Sequence, residues 1–292
     1  MKPVKFDYFA PAVLPEAIAL LRSLGPEAKI LAGGQTLVPA MNMRVARPNA
    51  IVDLNGVAEL SFIRETAEGL EIGAMTRQRD LETSGVVARR CPLFSAALPH
   101  VAHFQIRNRG TLGGSLSHND PAAELPAVVA ALDGVVTLSR ADRVRQVGWD
   151  EFFCGMLTTA LEPDEVLVSI GVTSPPPGSG VGFAEVSRRH GDFALAGAAA
   201  ILHASGDRAV DFARLALFGV AHGPVRSTAA ERILKGSEPG TTTWRAAADV
   251  IIRDIDPAED LHASADYRRE VAHTLAQRAL MQAWANVHAA NS

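Results

Sequence analysis

Two short segments place bare backbone beside hydroxyl and amide side chains: Ala32-Gly33-Gly34-Gln35-Thr36-Leu37 and Thr111-Leu112-Gly113-Gly114-Ser115. Without Cβ, a glycine pair lets main-chain N–H groups approach an anion closely and adopt positive φ. Successive N–H groups in that geometry form nests suited to a pyrophosphate. Thr36, Thr111 and Ser115 add neutral hydroxyl donors, and Gln35 adds an amide donor. One Gly-Gly pair is more often a turn than a ligand site; two pairs with matching donors suggest the two jaws of a clamp. Neither segment fits the common nucleotide fingerprints. No G-x-G-x-x-G opens a helix and no G-x-x-x-x-G-K-[ST] occurs, so a Rossmann or Walker-type site is not expected.

Other chemistry-bearing residues are sparser. Asp120-Pro121-x-x-Glu124 has the form of a helix start, with Asp120 as N-cap, Pro121 at the first helical position and Glu124 closing a capping box. The histidines form no H-E-x-x-H or H-x₃-H pair; His100 and His103 could share a helix face, but no metal site is expected. The two cysteines, Cys91 and Cys154, lie 63 positions apart and form no C-x-x-C unit. Neither a zinc site nor a four-ligand iron–sulfur cluster can be built from this chain's thiols.

Taken together and in order, Ile30 to Pro39, Arg107 to His118, Asp120 to Glu124, Arg188 to Ala194 and Ser264 to Arg269 resemble one known family. It is the FAD-binding medium subunit of molybdenum hydroxylases, which includes the carbon monoxide dehydrogenase medium subunit and the flavin domain of xanthine dehydrogenase. The resemblance runs from Phe6 to about His288, nearly the whole chain. It implies that Ala32, Gly33, Gly34, Gln35, Thr36 and Leu37, with Thr111, Gly113, Gly114 and Ser115, grip the pyrophosphate and ribityl chain of FAD. It places Glu124 at the adenosine end, where a carboxylate accepts from sugar hydroxyls. Val101 and Leu161 match positions that touch the isoalloxazine; without the resemblance both are simply core residues. Phe193 stands where relatives can carry a tyrosine near the flavin, its alternative being a buried strand aromatic. Gln35-Thr36 departs from the His-Ser of many members but still donates hydrogen bonds.

The resemblance further implies a small [2Fe-2S] partner and a large molybdopterin partner, assembled as a dimer of heterotrimers, with molybdopterin and the cluster held only by those partners. FAD is expected to be noncovalent, since neither glycine loop offers a His or Cys for attachment. The chain is then an oxidoreductase component whose flavin collects electrons and passes them to a terminal acceptor, and it needs no catalytic acid or base of its own. Two rivals stay open: an independent flavin oxidase of the vanillyl-alcohol type, and a structural subunit that holds FAD weakly. The substrate of the complex is not written in this chain.

Composition bounds the reading. The 292 residues are 48% hydrophobic and long enough for two ordinary domains. A net charge of −4 gives no basic footprint for nucleic acid. The N-terminal Met1-Lys2-Pro3-Val4-Lys5-Phe6 lacks an apolar signal core, no run of about 20 apolar residues occurs, and a cytoplasmic location is expected.

These residues need elements to hold them. Ala17, Ile18, Leu21 and Leu24 predict a helix ended at Gly25-Pro26, and Lys29 to Ala32 a strand feeding the first glycine loop. Ile51 to Leu54, Leu70 to Ala74, Val135 to Leu138 and Val166 to Ile170 read as further strands, with helices near 76–84, 86–98 and 122–132. Ser174-Pro175-Pro176-Pro177-Gly178-Ser179-Gly180 can continue neither strand nor helix and marks a boundary. Beyond it, Phe193 to Ala204, whose alanines alone would also read as a helix, and Phe212 to Val220 are taken as strands, followed by helices at 226–235, 241–254 and 265–288, because the resemblance implies this and the pattern allows it. The expected class is α+β: a PCMH-type (vanillyl-alcohol-oxidase-like) FAD-binding domain over 1–175, with lobes at about 1–56 and 57–175. A C-terminal domain like that of the carbon monoxide dehydrogenase flavoprotein, an antiparallel sheet plus three helices, is expected over 181–288.

Overall fold

The computed structural model describes residues 1–205 and 209–290. The chain opens with β1 (Asp7–Phe9), α1 (Leu14–Leu24), β2 (Ala28–Leu31), α2 (Leu37–Asn42) and β3 (Ala50–Asp53). The strands form a parallel sheet in the order β1-β3-β2. Helix α1 covers it with Ala17, Ile18 and Leu21, all buried, and stops where Gly25 turns to φ +73°. Because a parallel strand delivers its C-terminal end to the same edge as its neighbour, β2 and β3 both open toward the first glycine loop.

A second lobe follows: β4 (Ile63–Glu65), β5 (Gly69–Gly73), α3 (Gln78–Thr83), α4 (Gly85–Arg90), α5 (Pro92–Ala97), α6 (Phe104–Arg107), α7 (Leu112–His118), α8 (Glu124–Ala131), β6 (Val135–Arg140), β7 (Arg143–Gly148), α9 (Trp149–Phe152), β8 (Phe153–Gly155), β9 (Thr158–Thr159) and β10 (Val166–Thr173). Its sheet runs β4-β5-β10-β6-β7, antiparallel throughout. The helix predicted over 86–98 is two helices, because Pro92 cannot donate to a carbonyl one turn back and instead starts α5. The helix predicted from 122 begins at Glu124. Asp120 does not cap it; its Oδ1 accepts from Ala122 N at 2.9 Å in a local turn, and Ala123 occupies the N-cap position.

The last part comprises β11 (Gly180–Ser187), β12 (Ala194–His203), β13 (Phe212–Phe218), β14 (Val225–Arg226), α10 (Thr228–Leu234), α11 (Thr241–Ile251) and α12 (Ala265–Ala290). Four antiparallel strands run in sequence order. Strand β12 is apolar at nearly every position because both faces are covered. Ala196, Ala198, Ala200 and Leu202 face the core shared with the three helices, while Ala199 and Ile201 join the core of the second lobe. The ring of Phe218 stacks on Phe183 with centroids 5.5 Å apart within that second-lobe core. No helix among the described residues is long and apolar enough to cross a membrane.

Candidate cofactor site

The first glycine loop leaves the end of β2 and enters α2. Gly33 packs directly on the second lobe: a Cβ there would stand 2.5 Å from the Arg109 carbonyl oxygen and 2.7 Å from Gly110 Cα. Gly34 follows at φ +74°, where an L side chain is strained. The consequence is a run of donors. Among the described residues, the N–H groups of Gly33, Gly34, Gln35 and Thr36 have no protein acceptor. Gln35 spends one amide hydrogen on the loop itself, donating to the Gly33 carbonyl at 3.0 Å, whereas the exposed Thr36 hydroxyl makes no hydrogen bond among the described residues. A cleft of about 280 Å³ opens here, lined by the backbone of 32–35, by Leu31, Val38 and Pro39, and by Arg109. None of its lining residues is acidic, and Arg109 forms no ion pair among the described residues.

The second loop is built differently. Its glycine pair lies in the first turn of α7, and the N–H groups are already engaged. Leu112 donates to the Thr76 carbonyl at 3.1 Å, Gly113 to Ala74 at 2.9 Å, Gly114 to Thr111 Oγ1 at 3.1 Å and Ser115 to the Thr111 carbonyl at 3.2 Å. The expectation of two open nests therefore holds for the first jaw and not for the second. Thr111 acts there as an N-cap, and the chain beyond β5 supplies the other acceptors. What the second jaw offers a ligand is the Ser115 hydroxyl, which has no protein partner among the described residues, and whatever proton Thr111 can donate while accepting from Gly114. The jaws touch: a Cβ on Gly114 would lie 3.5 Å from Ala32 Cβ.

Four uncommitted N–H donors and, among the described residues, one guanidinium without an ion pair fit a ligand with two negative charges. The first-jaw residues and Arg109 would hold a dinucleotide's pyrophosphate.

Of the predicted residues, Ala32, Gly33, Gly34 and Gln35 line this cleft; Thr36, Leu37, Val101, Thr111, Gly113, Gly114, Ser115, Glu124 and Leu161 lie outside its lining. Leu37 is the first residue of α2. Val101 is buried in a turn whose next residue, Ala102, has φ +47°. Arg107 holds that turn, donating to the carbonyls of Val101 at 2.9 Å and Ala102 at 3.3 Å, and is itself gripped by the Glu82 carboxylate through two bonds of 2.9 Å. That grip keeps the Glu82 carboxyl below its usual range. Leu161 is half-buried against the second-lobe core. Glu124 is buried at the start of α8, and burial pushes its carboxyl up to about 7, with Glu185 and Asp120 adding to the rise. Beside it, His100 Nδ1 stands 3.5 Å from Glu185 Oε1, and that contact raises the imidazole above its ordinary range. His100 and His103 do not come together as a pair of ligands: His103 faces His190 across 6.1 Å. No grouping of metal-ligating side chains occurs among the described residues. Phe193 is not a buried strand aromatic; it precedes β12 and is 66% exposed.

Sequence reasoning missed Arg109, Arg77 and Asn55. Arg77 pairs with Thr111 in an isolated bridge, and its guanidinium donates to the Arg109 carbonyl and, at 2.5 Å, to Asn55 Oδ1. Isolated polar residues flanking strands carry no spacing signal, although Arg109 sits inside a segment the resemblance already singled out.

Residues 4–175 match the family described as "FAD binding domain in molybdopterin dehydrogenase", and residues 182–283 match the "CO dehydrogenase flavoprotein C-terminal domain". The chain is 41% identical over 283 residues to the 6-hydroxypseudooxynicotine dehydrogenase complex subunit alpha of Paenarthrobacter nicotinovorans, covering 97% of this chain and 96% of that one. It is 40% identical over 285 residues to the carbon monoxide dehydrogenase medium chain of Hydrogenophaga pseudoflava, covering 98% and 99%. In structure it superposes on a chain of the H. pseudoflava carbon monoxide dehydrogenase with a TM-score of 0.95 at 41% identity, covering 98% of this chain and 99% of the other.

Proposed function

The chain belongs to the family of FAD-binding medium subunits of molybdenum hydroxylases, and on that premise we propose that it carries electrons from a [2Fe-2S] partner to a terminal acceptor. The flavin, when bound, supplies the capacity to take electrons singly and release them in pairs. The chain's own residues bind and orient. Gly33 to Thr36 present N–H donors to the pyrophosphate, Arg109 balances its charge, and Arg107 with Glu82 fixes the turn carrying Val101. Glu124, His100 and Glu185 stand together where the second lobe meets β11.

One observation carries this reading: a flavin-type cradle stands in a chain with two cysteines, Cys91 buried and Cys154 exposed. An iron–sulfur centre feeding such a flavin needs ligands from another polypeptide. The substrate follows from the large partner. Relatives named for a nicotine derivative and for carbon monoxide are about equally similar, so similarity of this subunit does not choose between them. Purification from the native host tests the proposal. The expected result is co-isolation with a molybdopterin subunit and a [2Fe-2S] subunit; isolation alone, with full turnover of an organic substrate, favours the independent oxidase.

A further inference from the structure

Asn55 and Arg77 belong to neither glycine loop, yet each touches one. Asn55 follows β3 in the first lobe, and its Nδ2 donates to the Ala32 carbonyl at 3.0 Å. Its Oδ1 accepts from Arg77 Nη2 at 2.5 Å, the bond that crosses between the lobes, and Arg77 Nη1 donates to the Arg109 carbonyl just ahead of the second jaw. The chain of bonds is therefore Ala32 to Asn55 to Arg77 to Arg109, from one jaw to the other. Asn55 is held in turn by Asp53, whose Oδ1 accepts from Asn55 N at 2.9 Å and whose Oδ2 accepts from Tyr8 Oη at 2.5 Å.

The contact beside this bridge has no slack, because Gly33 rests on the backbone of Arg109 and Gly110. Away from the jaws the first-lobe core of α1, β2 and β3 also takes in Met75 and Val166 from the second lobe, so apolar packing joins the lobes there, whereas at the jaw rim the link is this polar bridge and the Gly33 contact. Arg77 forms no ion pair with a carboxylate among the described residues; both groups it binds are neutral acceptors, on opposite sides of the jaw contact. A planar guanidinium suits that task, since its fork of N–H groups can serve two acceptors at a fixed angle.

We propose that Asn55 and Arg77 are positioning residues that latch the two glycine jaws at the separation FAD requires, so that cofactor retention depends on side chains outside both loops. The inference rests on FAD as the ligand of this cleft and adds what sets the cleft's width. Neither residue needs to contact the cofactor. Their loss leaves the apolar packing between the lobes in place and loosens only the rim where the jaws meet.

The test measures FAD affinity of the full chain by flavin fluorescence alongside the thermal midpoint of the flavin-free protein. Wild type is compared with Asn55→Ala, Arg77→Gln, Arg77→Lys and the double variant, with Arg64→Gln as a control that removes an exposed charge. Asn55→Ala and Arg77→Gln should each weaken FAD about tenfold or more with the flavin-free midpoint nearly unmoved. The double variant should be no weaker than the worse single one, since both act through one bridge. Arg77→Lys, with a single point of donation, should fall between, and Arg64→Gln should bind as wild type. Wild-type affinity in Asn55→Ala and Arg77→Gln overturns the latch while leaving the FAD reading intact. So do independent, additive losses, or losses that merely track a falling midpoint. If wild type itself takes up no FAD, the FAD reading falls first and the latch with it.

Discussion

Gly33 owes its identity to protein as much as to ligand. A side chain there meets the Arg109 carbonyl before it meets anything in the cleft, so Gly33→Val should separate the jaws and abolish FAD retention. Gly114 differs, because its added Cβ would meet only the Thr111 hydroxyl at 2.8 Å and Ala32 Cβ at 3.5 Å. Gly114→Ala should therefore be the milder change, and equilibrium dialysis against FAD orders the two; equal losses would show that jaw contact is not the limiting feature. Glu124 supplies a separate test in pH. Its carboxyl rises in the fold from 4.5 to about 7, so its share of stability is complete below about 4.5 and is lost as pH climbs through 7. In Glu124→Gln the flavin-free midpoint should fall less over that interval, by a few degrees; a slope identical to wild type would remove Glu124 as its source. At this scale the glycines, the hydroxyls and Glu124 were legible as residue types. What each bonds to was not: nothing in Thr111-Leu112-Gly113-Gly114 announces that Thr76, Ala74 and Thr111 itself absorb the N–H groups.

Among elements, α7 converts the second glycine pair from a loop into a helix start. Thr111 Oγ1 caps it by accepting from Gly114 N, so Thr111→Val should cost about 1 kcal/mol in urea unfolding. A loss below a few tenths would mean the cap is replaced by water. The sequence foretold the elements whose pattern is self-contained. Helix α1 shows its apolar stripe and its terminating glycine, whereas β12 is assigned as a strand only through the family resemblance, its alanines being small because it packs closely under α12 while also facing the second lobe. Elements that depend on partners stayed hidden. β1 is three residues that exist only by pairing with β3, and β7 is an exposed edge strand carrying Arg143 and Arg145. Pro92 was legible as a break in hindsight of its chemistry, since a proline at the first helical position starts α5 as readily as it ends α4.

At the scale of the whole molecule, the last four-stranded sheet is shared property. One face lies on α10 to α12 and the other on α5 and α8, so the sheet contributes to two apolar cores, one shared with the second lobe and one with the last three helices. Ion pairs reinforce the junction: Asp133, just after α8, binds both Arg214 and Arg226. A molecule so joined should keep its cradle when isolated, and the flavin is expected to leave without covalent scission, since no His or Cys stands in either glycine loop. Acid or heat should therefore release the yellow colour into the supernatant, and flavin retained in the precipitate would contradict this. Partnership follows from the same architecture. The chain offers a flavin cradle, but with Cys91 buried and Cys154 far from it in sequence it cannot supply the four ligands of a cluster. On the proposed role, the purified chain loaded with FAD should accept electrons from a chemical reductant yet fail to oxidise the complex's substrate. Addition of the [2Fe-2S] and molybdopterin partners should restore turnover, and addition of either one alone should not. Substrate oxidation by the chain alone at the rate of the complex would replace the electron-transfer role with that of an independent oxidase.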